Sequence, residues 1–330
     1  MRAVIKRLFA RKLPAAAPVP DPVPTAKPAA VLARAAIVKN EGPYLLEWLA
    51  HHRLLGIERF FIADNDSDDG STDLLAALAA AGLITHIAFP GTPGAAPQLP
   101  AYRLILDRHG AAAEWFAFID ADEFIRPLQA TVSLSDWLRG QPDRVGAVVL
   151  NWAVYGSAGR DRPGRGLVQR RFPLRFADQT RANLHYKTLL RRSAWQALSG
   201  NPHHFHLKPG WAHVDSAGAA LVPGERPGKS RSVVWGDFRL EHYMFKSRAE
   251  FIHKKIARGR ATRFDELRTA EMFKGAGNAR LQDPADDAVI RAVKREMEAM
   301  RRQIADLDPR FRDMDKRIDD LGPTLPDATG

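Results

Sequence analysis

The sequence predicts an α/β domain followed by a helical extension. Three observations carry that assignment. Short apolar runs rich in Ala, Val, Ile and Phe alternate with stretches whose apolar residues recur at helical spacing. Gly or Pro stands at most of the junctions between them. After residue 260 the chain turns highly charged, with a single amphipathic stripe.

Composition sets the limits. With 330 residues and 45% hydrophobic content the chain can bury one large core, which excludes global disorder. There is no cysteine. Disulfides and thiolate metal sites are therefore excluded, and any metal must bind oxygen or imidazole. The formal net charge is +11, with five of the cations (Arg2, Lys6, Arg7, Arg11, Lys12) in the first twelve residues. This balance permits an anionic partner such as nucleic acid, anionic lipid or a phosphorylated substrate, without selecting one.

No apolar run reaches the roughly 18 residues of a spanning helix, and residues 1–12 are too short in apolar stretch for a secretory signal. A cytoplasmic protein is expected. Val4, Ile5, Leu8 and Phe9 recur at helical spacing in that basic segment, which suits weak peripheral contact with the anionic inner membrane surface. Residues 13–30, rich in Ala and Pro, read as a linker. The main domain is expected over 31–260 and the helical extension over 261–330.

Val31–Val38 reads as the first strand, and Lys39-Asn40-Glu41-Gly42 as a turn, with Pro43 suited to the first helical position. Leu45, Trp48, Leu49, His52 and Leu55 give the helix, closed by Gly56. Glu58–Ala63 is the second strand, which makes a β-α-β unit. The acid-rich run from Asp64 to Asp73 superficially suggests a calcium loop, but glycine arrives one position late, at Gly70, and Leu75 stands where a bidentate Glu is needed. It reads better as a strand-to-helix loop in which Ser71 or Thr72 caps a helix over 73–81. A third strand over 83–89 and a helix over 100–109 follow; Arg103 on that helix is a candidate phosphate partner.

The fourth strand, Trp115–Phe124, ends in Asp120, Asp122 and Glu123. If it stays extended, Asp120 and Asp122 point to one side and repel as anions, unless a cation sits between them. Mg2+ or Mn2+ suits such oxygen ligands and leaves positions for substrate phosphates. In an open α/β sheet these acids, Glu41 and the Asp64 loop all come to the carboxyl edge of the strands, where ligands bind.

Lys-Asn-Glu (39–41), the run 64–73 and Phe-Ile-Asp-Ala-Asp-Glu-Phe (118–124) together resemble glycosyltransferase family 2 domains. More narrowly, they resemble a bacterial group related to glycosyltransferase family 92, over roughly residues 31–259. The resemblance implies a GT-A fold, a Rossmann-like mixed sheet flanked by helices, and an enzyme moving a sugar from a nucleotide-sugar donor. It implies a UDP-linked donor, inversion at the sugar carbon, and a glycan, glycolipid or other hydroxyl acceptor of the kind used in polysaccharide biosynthesis. Asn40, Glu41, Asp64, Asp66, Arg103 and Lys187 are the implied donor-binding residues, with Asp64 and Asp66 as alternatives for the base and ribose. Asp120 and Asp122 are the implied metal ligands.

Downstream, 133–139 reads as a short helix, and Val145–Val154 and Tyr186–Arg191 as strands. Between them lies a basic, glycine-rich segment, 156–171, read equally as a solvated loop or an anion contact. His203, His204, His206 and His213 lack both Cys partners and the His-Glu-x-x-His spacing of a zinc site. A single histidine completing the shell of the Asp120/Asp122 metal is expected instead. His242 is the first candidate, because Ser247 and Glu250 form a capping box that explains the motif only from Ser247 onward; His206 is the second. Asp122 and Glu123 are the catalytic candidates of the acidic motif. The base that deprotonates the acceptor stays open among Glu123, Asp215 and Glu241. Ile290, Val293, Met297 and Ile304 stripe a helix over 285–306 that packs on the domain.

Two other functions compete. A nucleotidyltransferase could use the same acids, but Lys-Asn-Glu-Gly is a poor substitute for its glycine-rich phosphate loop. A nucleic-acid-binding protein would interleave basic and aromatic residues on one face, whereas the pocket inferred here is lined with acids, so no nucleic acid partner is expected.

Overall fold

The computed structural model describes residues 30–92, 94–129, 133–257 and 270–311. The basic segment 1–12, its expected membrane contact and the linker up to residue 29 lie outside the described residues. The strands are β1 Ala30–Val38, β2 Arg59–Asp64, β3 Thr85–Ala88, β4 Ala113–Phe118, β5 Glu123–Pro127, β6 Val145–Val154 and β7 Leu174–Arg175. They continue with β8 Tyr186–Arg191, β9 Trp195–Leu198, β10 Phe205–Leu207, β11 Ala212–Val214, β12 Phe238–His242 and β13 Leu281–Gln282. The helices are α1 Gly42–Leu54, α2 Ser71–Ala80, α3 Gln98–His109, α4 Leu134–Arg139, α5 Val168–Arg171, α6 Arg248–Phe251, α7 Ala270–Lys274 and α8 Asp287–Leu307. No described helix is long and apolar enough to cross a membrane.

A nine-stranded mixed sheet forms the centre, in the order β3-β2-β1-β4-β8-β6-β12-β5, with β11 beside the first half of β6. The first four strands are parallel, as the β-α units require. β8 runs antiparallel to both β4 and β6, and β12 runs parallel to β6. The carboxyl ends of β1, β2, β4, β6 and β12 therefore share one edge, and the start of β8 lies there too. Alternation along β4 divides the core. Trp115 and Ala117 pack with Leu32, Trp48 and Leu49 on one face, while Phe116 and Phe118 pack with Tyr102 and Ile105 on the other.

The expected mixed sheet flanked by helices is present, with three local differences. The fourth strand does not persist to Phe124. It ends at Phe118, and β5 begins at Glu123 and runs at the far side of the sheet, antiparallel to β12. A turn lies between them, closed because the Glu123 N–H donates to the Asp120 carbonyl at 3.1 Å. Second, neither Ser71 nor Thr72 caps α2, whose cap position is Gly70 at φ 93. Ser71 Oγ instead accepts from the Gly42 N–H at 2.7 Å, and the Thr72 hydroxyl donates to Asp64. Third, the basic segment 156–171 is docked, because its Arg160 and Asp161 carbonyls accept from the N–H groups of Arg248 and Ala249 at the start of α6.

The expected C-terminal helix forms as α8. Asp286 caps it by accepting from the Ala288 N–H at 2.6 Å, and Ile290, Val293, Met300 and Ile304 are buried against α1 and α2. Arg53 of α1 pairs with Glu296 at 2.6 Å. Helix α8 thus packs on the domain, while residues 261–269 and 312–330 of the expected extension lie outside the described residues.

Helix α1 holds β5 through two buried histidines. His51 Nε2 donates to the Ile125 carbonyl at 2.7 Å. His52 Nδ1 donates to the Trp48 carbonyl at 2.7 Å and its Nε2 accepts from the Ile125 N–H at 3.2 Å. Protonating His52 would set two donors against each other. Burial lowers both, His51 to about 4. The unfolded chain, with histidine near 6.5, then binds more protons between the two values. Stability is thus complete above about pH 6.5 and is lost as the pH falls toward 4, by about 2 kcal/mol for His51 at pH 5. Urea midpoints measured from pH 7.5 to 5 should fall accordingly, and His51→Gln should flatten that slope.

Candidate active site

Backbone strain marks the shared sheet edge. Among the described residues four non-glycine residues have positive φ: Asn40 (56), Asp66 (55), Ala158 (49) and Lys246 (50). They follow the carboxyl ends of β1, β2, β6 and β12, respectively. Such conformations collect where side chains are held for a purpose.

Two loops at this edge are sewn together. The Asn40 N–H donates to Ser67 Oγ at 3.0 Å, Asn40 Nδ2 donates to Asp68 Oδ1 at 2.7 Å, and the Asp68 N–H donates back to Asn40 Oδ1 at 2.9 Å. Asp64, buried at the end of β2, accepts from the Ser67 N–H and hydroxyl and from Thr72, with His86 Nε2 at 3.7 Å. Burial alone would raise its carboxyl, but the nearby His86 ring and hydrogen bonds from Ser67 and Thr72 outweigh it and hold Asp64 at about 2. Asp64 is thereby the internal staple of the loop. Asp66 is exposed and accepts from the Gly91 N–H at 2.7 Å. Glu41 is buried and pairs with Lys254, on the π-helical turn Ile252–Ala257.

The acidic turn is held from three sides. The Asp120 carbonyl accepts from Trp48 Nε1 at 2.9 Å and from Arg34 at 3.3 Å; Arg34 also donates to the Glu123 carbonyl at 3.4 Å. Arg34 is fully buried, its guanidinium 3.3 Å from the centre of the Trp48 ring. From below, the buried Lys187 ammonium lies 2.9 Å from Asp120 Oδ2 and 3.7 Å from Glu123 Oε2. From α3, Gln98 Nε2 donates to Asp120 Oδ1 at 3.0 Å.

These contacts divide the three acids. Glu123 has no exposed side-chain surface, accepts from the Asp120 N–H at 2.7 Å, and is raised to about 8 by burial against the pull of Lys187. It supports the turn from inside rather than facing an acceptor. The Asp120 side chain is 35% exposed, and Lys187 overcomes burial to keep it ionised. Burial would weaken the Lys187 charge, but Asp120 and Glu123 raise its pKa instead. Asp122 is buried, with its carbonyl accepting from the Tyr243 N–H at 2.9 Å and Oδ1 3.6 Å from His242 Nε2.

The Asp122–His242 separation allows a fit test for a cation. Two ligands each about 2.1 Å from one ion stand about 3.0–3.6 Å apart at bond angles of about 90–120°. Asp122 and His242 therefore fit one edge of a coordination shell. The two Asp120 oxygens take one hydrogen bond each, from Lys187 and Gln98, and the side chain stays 35% exposed. Among the described residues no three His, Asp or Glu side chains gather as a cation site. The turn replaces the strand spacing from which the twin-aspartate expectation was read, and the pair that stands at ligand-to-ligand distance is Asp122 and His242.

Other expected residues lie elsewhere. Arg103 is exposed, donates to Asp107 and lies 5.3 Å from the Trp195 ring. Asp215 closes a turn after β11 by accepting from the N–H groups of Ala217 and Ala219. Glu241 is buried between Arg126 at 2.9 Å and Arg239 at 3.0 Å and accepts from the Tyr155 and Tyr243 hydroxyls; burial raises its carboxyl, but the two arginines bring it below its ordinary value. Glu241 stands opposite Phe124 in the β12–β5 register, next to the acidic turn, but its carboxylate is taken up by the two arginines. His206 is exposed, near His204, which stacks on His213. His203 instead packs with His185 and His242 around Trp152, whose ring centre is 4.2 Å from that of His242. Sequence reasoning missed Arg34, Trp48 as a donor, Gln98 and Trp152. Arg34 alone left a signal, a single charge in an otherwise apolar strand.

This edge coincides with a conserved-domain match. Residues 38–158 match the family model of glycosyltransferase family 92. The matched segment holds Asn40, Asp64, Asp66 and the acidic turn, and stops before Lys187 and His242. The chain is similar to a glycosyltransferase family 92 protein of Oryza sativa subsp. japonica, Os08g0121900, with 29% identity over 54% of this chain and 30% of that protein. A family 92 protein of Ricinus communis, RCOM_0530710, is 25% identical over 63% of this chain and 36% of its own length. The chain thus spans about a third of the curated relatives it matches. Among solved structures, S. aureus TarS 1–349 in complex with UDP has a TM-score of 0.31 and 14% identity, covering 50% of this chain and 47% of that one. That is too distant for its UDP to be carried over.

Breaking a buried ion pair from one side costs about 3–5 kcal/mol. Lys187→Met should lose that much stability in chemical denaturation, whereas Arg103→Ala should change it by less than about 0.5 kcal/mol.

Proposed function

We propose that the protein is a metal-dependent glycosyltransferase of the GT-A type, transferring a sugar from a UDP-linked donor, with inversion, to a hydroxyl of a glycan or glycolipid. The observation that carries this reading is the meeting, at one sheet edge, of the Asp122–His242 pair with the acidic turn and the Asn40/Asp66 loops. The family match over residues 38–158 supports it.

In this reading Asp122 and His242 hold Mn2+ or Mg2+, with donor phosphates among the remaining ligands. The ion supplies positive charge to a leaving diphosphate. Asp120, fixed by Lys187 and Gln98, presents a carboxylate of set orientation to the donor. Asp66 and the Asn40–Asp68 bracket bound the nucleoside end, and Asp64 keeps that loop in shape. Glu123, Glu241 and Asp215 are all engaged in protein contacts, so the reading assigns the acceptor's base to none of them.

UDP-sugars titrated calorimetrically with and without Mn2+ test it. Binding should require the metal, and Asp122→Ala or His242→Ala should each weaken it at least about 100-fold. Absence of donor binding, or no change in Asp122→Ala, would end the transferase reading.

A further inference from the structure

The turn 223–230 takes no part in the chemistry above, yet it is built against the wall that holds His242. Pro223 bridges Ser230, and the Gly224 N–H donates to the Lys229 carbonyl at 2.9 Å. At the tip Gly228 has φ 86, and a Cβ there would stand 3.0 Å from Asn201 and His203. Glycine allows both the left-handed backbone and the close approach. Asn201 Nδ2 donates to the Pro227 carbonyl at 2.8 Å, and the Tyr186 N–H donates to the Gly228 carbonyl at 3.2 Å. The turn is thereby fixed in place.

It carries Arg226 and Lys229. The stem of Lys229 is buried while its ammonium reaches the surface. Among the described residues that ammonium makes no hydrogen bond or ion pair. Burial lowers its pKa, and the charges of Arg226 and Arg181 lower it further. Glu225 opposes them, but it is exposed and pairs with Arg181 at 3.2 Å. Three cations thus share one acid at a fixed turn, and like charges held together favour an anion among them.

Lys229 is tied to the site through His185. The two residues form an antiparallel bridge, and His185 directly precedes β8, two residues before the Lys187 that pairs with Asp120. The His185 ring stacks on Trp152 with centres 4.8 Å apart, and the Trp152 centre is 4.2 Å from that of His242. Burial lowers His185 to about 4, and the charges of Lys229, Arg226 and His242 all reach the same ring. In the sheet, β4 with its acidic turn lies between β8 and the strands β1 and β2 that carry the nucleoside loops. The cations therefore stand across Asp120 from the nucleoside end.

We infer that Lys229 and Arg226 form an oxyanion subsite on the acceptor side, and that the acceptor sugar bears a carboxylate or phosphate group. The inference rests on the transferase reading, which sets the donor between Asp122–His242 and the Asn40/Asp66 loops. Lys229 supplies a point charge from a fixed backbone, and Arg226, exposed, supplies a planar fork that can close on either oxyanion. A neutral acceptor would give these cations no counter-charge.

Calorimetric titration of glucuronate, glucose 6-phosphate and glucose into the full chain saturated with UDP and Mn2+ tests this, because UDP then blocks the diphosphate position. At least one acidic sugar should bind about 10- to 100-fold more tightly than glucose, as for one charge-assisted contact, and which one does so distinguishes carboxylate from phosphate. That preference should vanish in Lys229→Met and shrink in Arg226→Ala. Lys229→Met keeps the buried stem and Arg226→Ala alters an exposed side chain, so both should melt close to wild type. UDP affinity, measured separately, should be the same in all three proteins. No preference for an acidic sugar, a preference that survives Lys229→Met, or an equal loss of UDP affinity overturns the assignment and leaves the transferase reading intact. Failure of wild type to bind UDP overturns both.

Discussion

Beneath the turn that joins β4 to β5, the buried ammonium of Lys187 meets the carboxylates of Asp120 and Glu123, and the candidate site depends on that meeting. Without the lysine, the Asp120 carboxylate would lose its counter-charge beside the buried Glu123 carboxyl, with little solvent to screen it. With it, Asp120 stays ionised at the surface, and Glu123 fills the turn from inside and caps the Asp120 N–H. Arg34 and Trp48 complete the fixation from the opposite side through the Asp120 carbonyl. A buried charge cluster of this kind is weak evidence for stability alone. Its effect here is to hold one acidic side chain, Asp120, in a single orientation beside a second, Asp122, that faces His242.

The sheet topology explains why these groups converge. Parallel strands bring β1, β2, β4, β6 and β12 to a common carboxyl edge, and antiparallel β8 and β5 begin where the others end. Lys187 is the second residue of β8 and Glu123 the first of β5, so both reach that edge from strands running the other way. In the register, His242 stands opposite Glu123 across the β12–β5 pair and opposite Val154 across β12–β6. Residues 120, 187 and 242 are far apart along the chain and close in the fold for this reason. The four left-handed residues at the same edge are its local counterpart, where loops bend sharply to return to their helices.

Much of this was legible in the sequence. The bounds of β6 and β8, the capping box at Ser247 and the α8 stripe follow from local pattern, because apolar periodicity and capping chemistry act over a few residues. The break after Phe118 was not legible. An apolar run followed by acids reads as one strand until the partner of Ile125 is known, and that partner is Leu240 on β12. The hydroxyls of Ser71 and Thr72 misled in the same way. Both have the chemistry of a helix cap, yet both are used by groups from another loop or strand, Gly42 and Asp64.

What the sequence by itself determined is the order of β-α units, the acidic and Asn-Glu loops between them and the histidine at the end of β12, since each is set by residue types within a short window. Only the tertiary structure decided which acids act together. It gave Asp120 to Lys187 and Gln98, set Asp122 3.6 Å from His242, turned Glu123 inward and left Arg103 exposed. Those assignments depend on burial and on charges contributed by distant strands, and neither is encoded in the spacing of the motif itself.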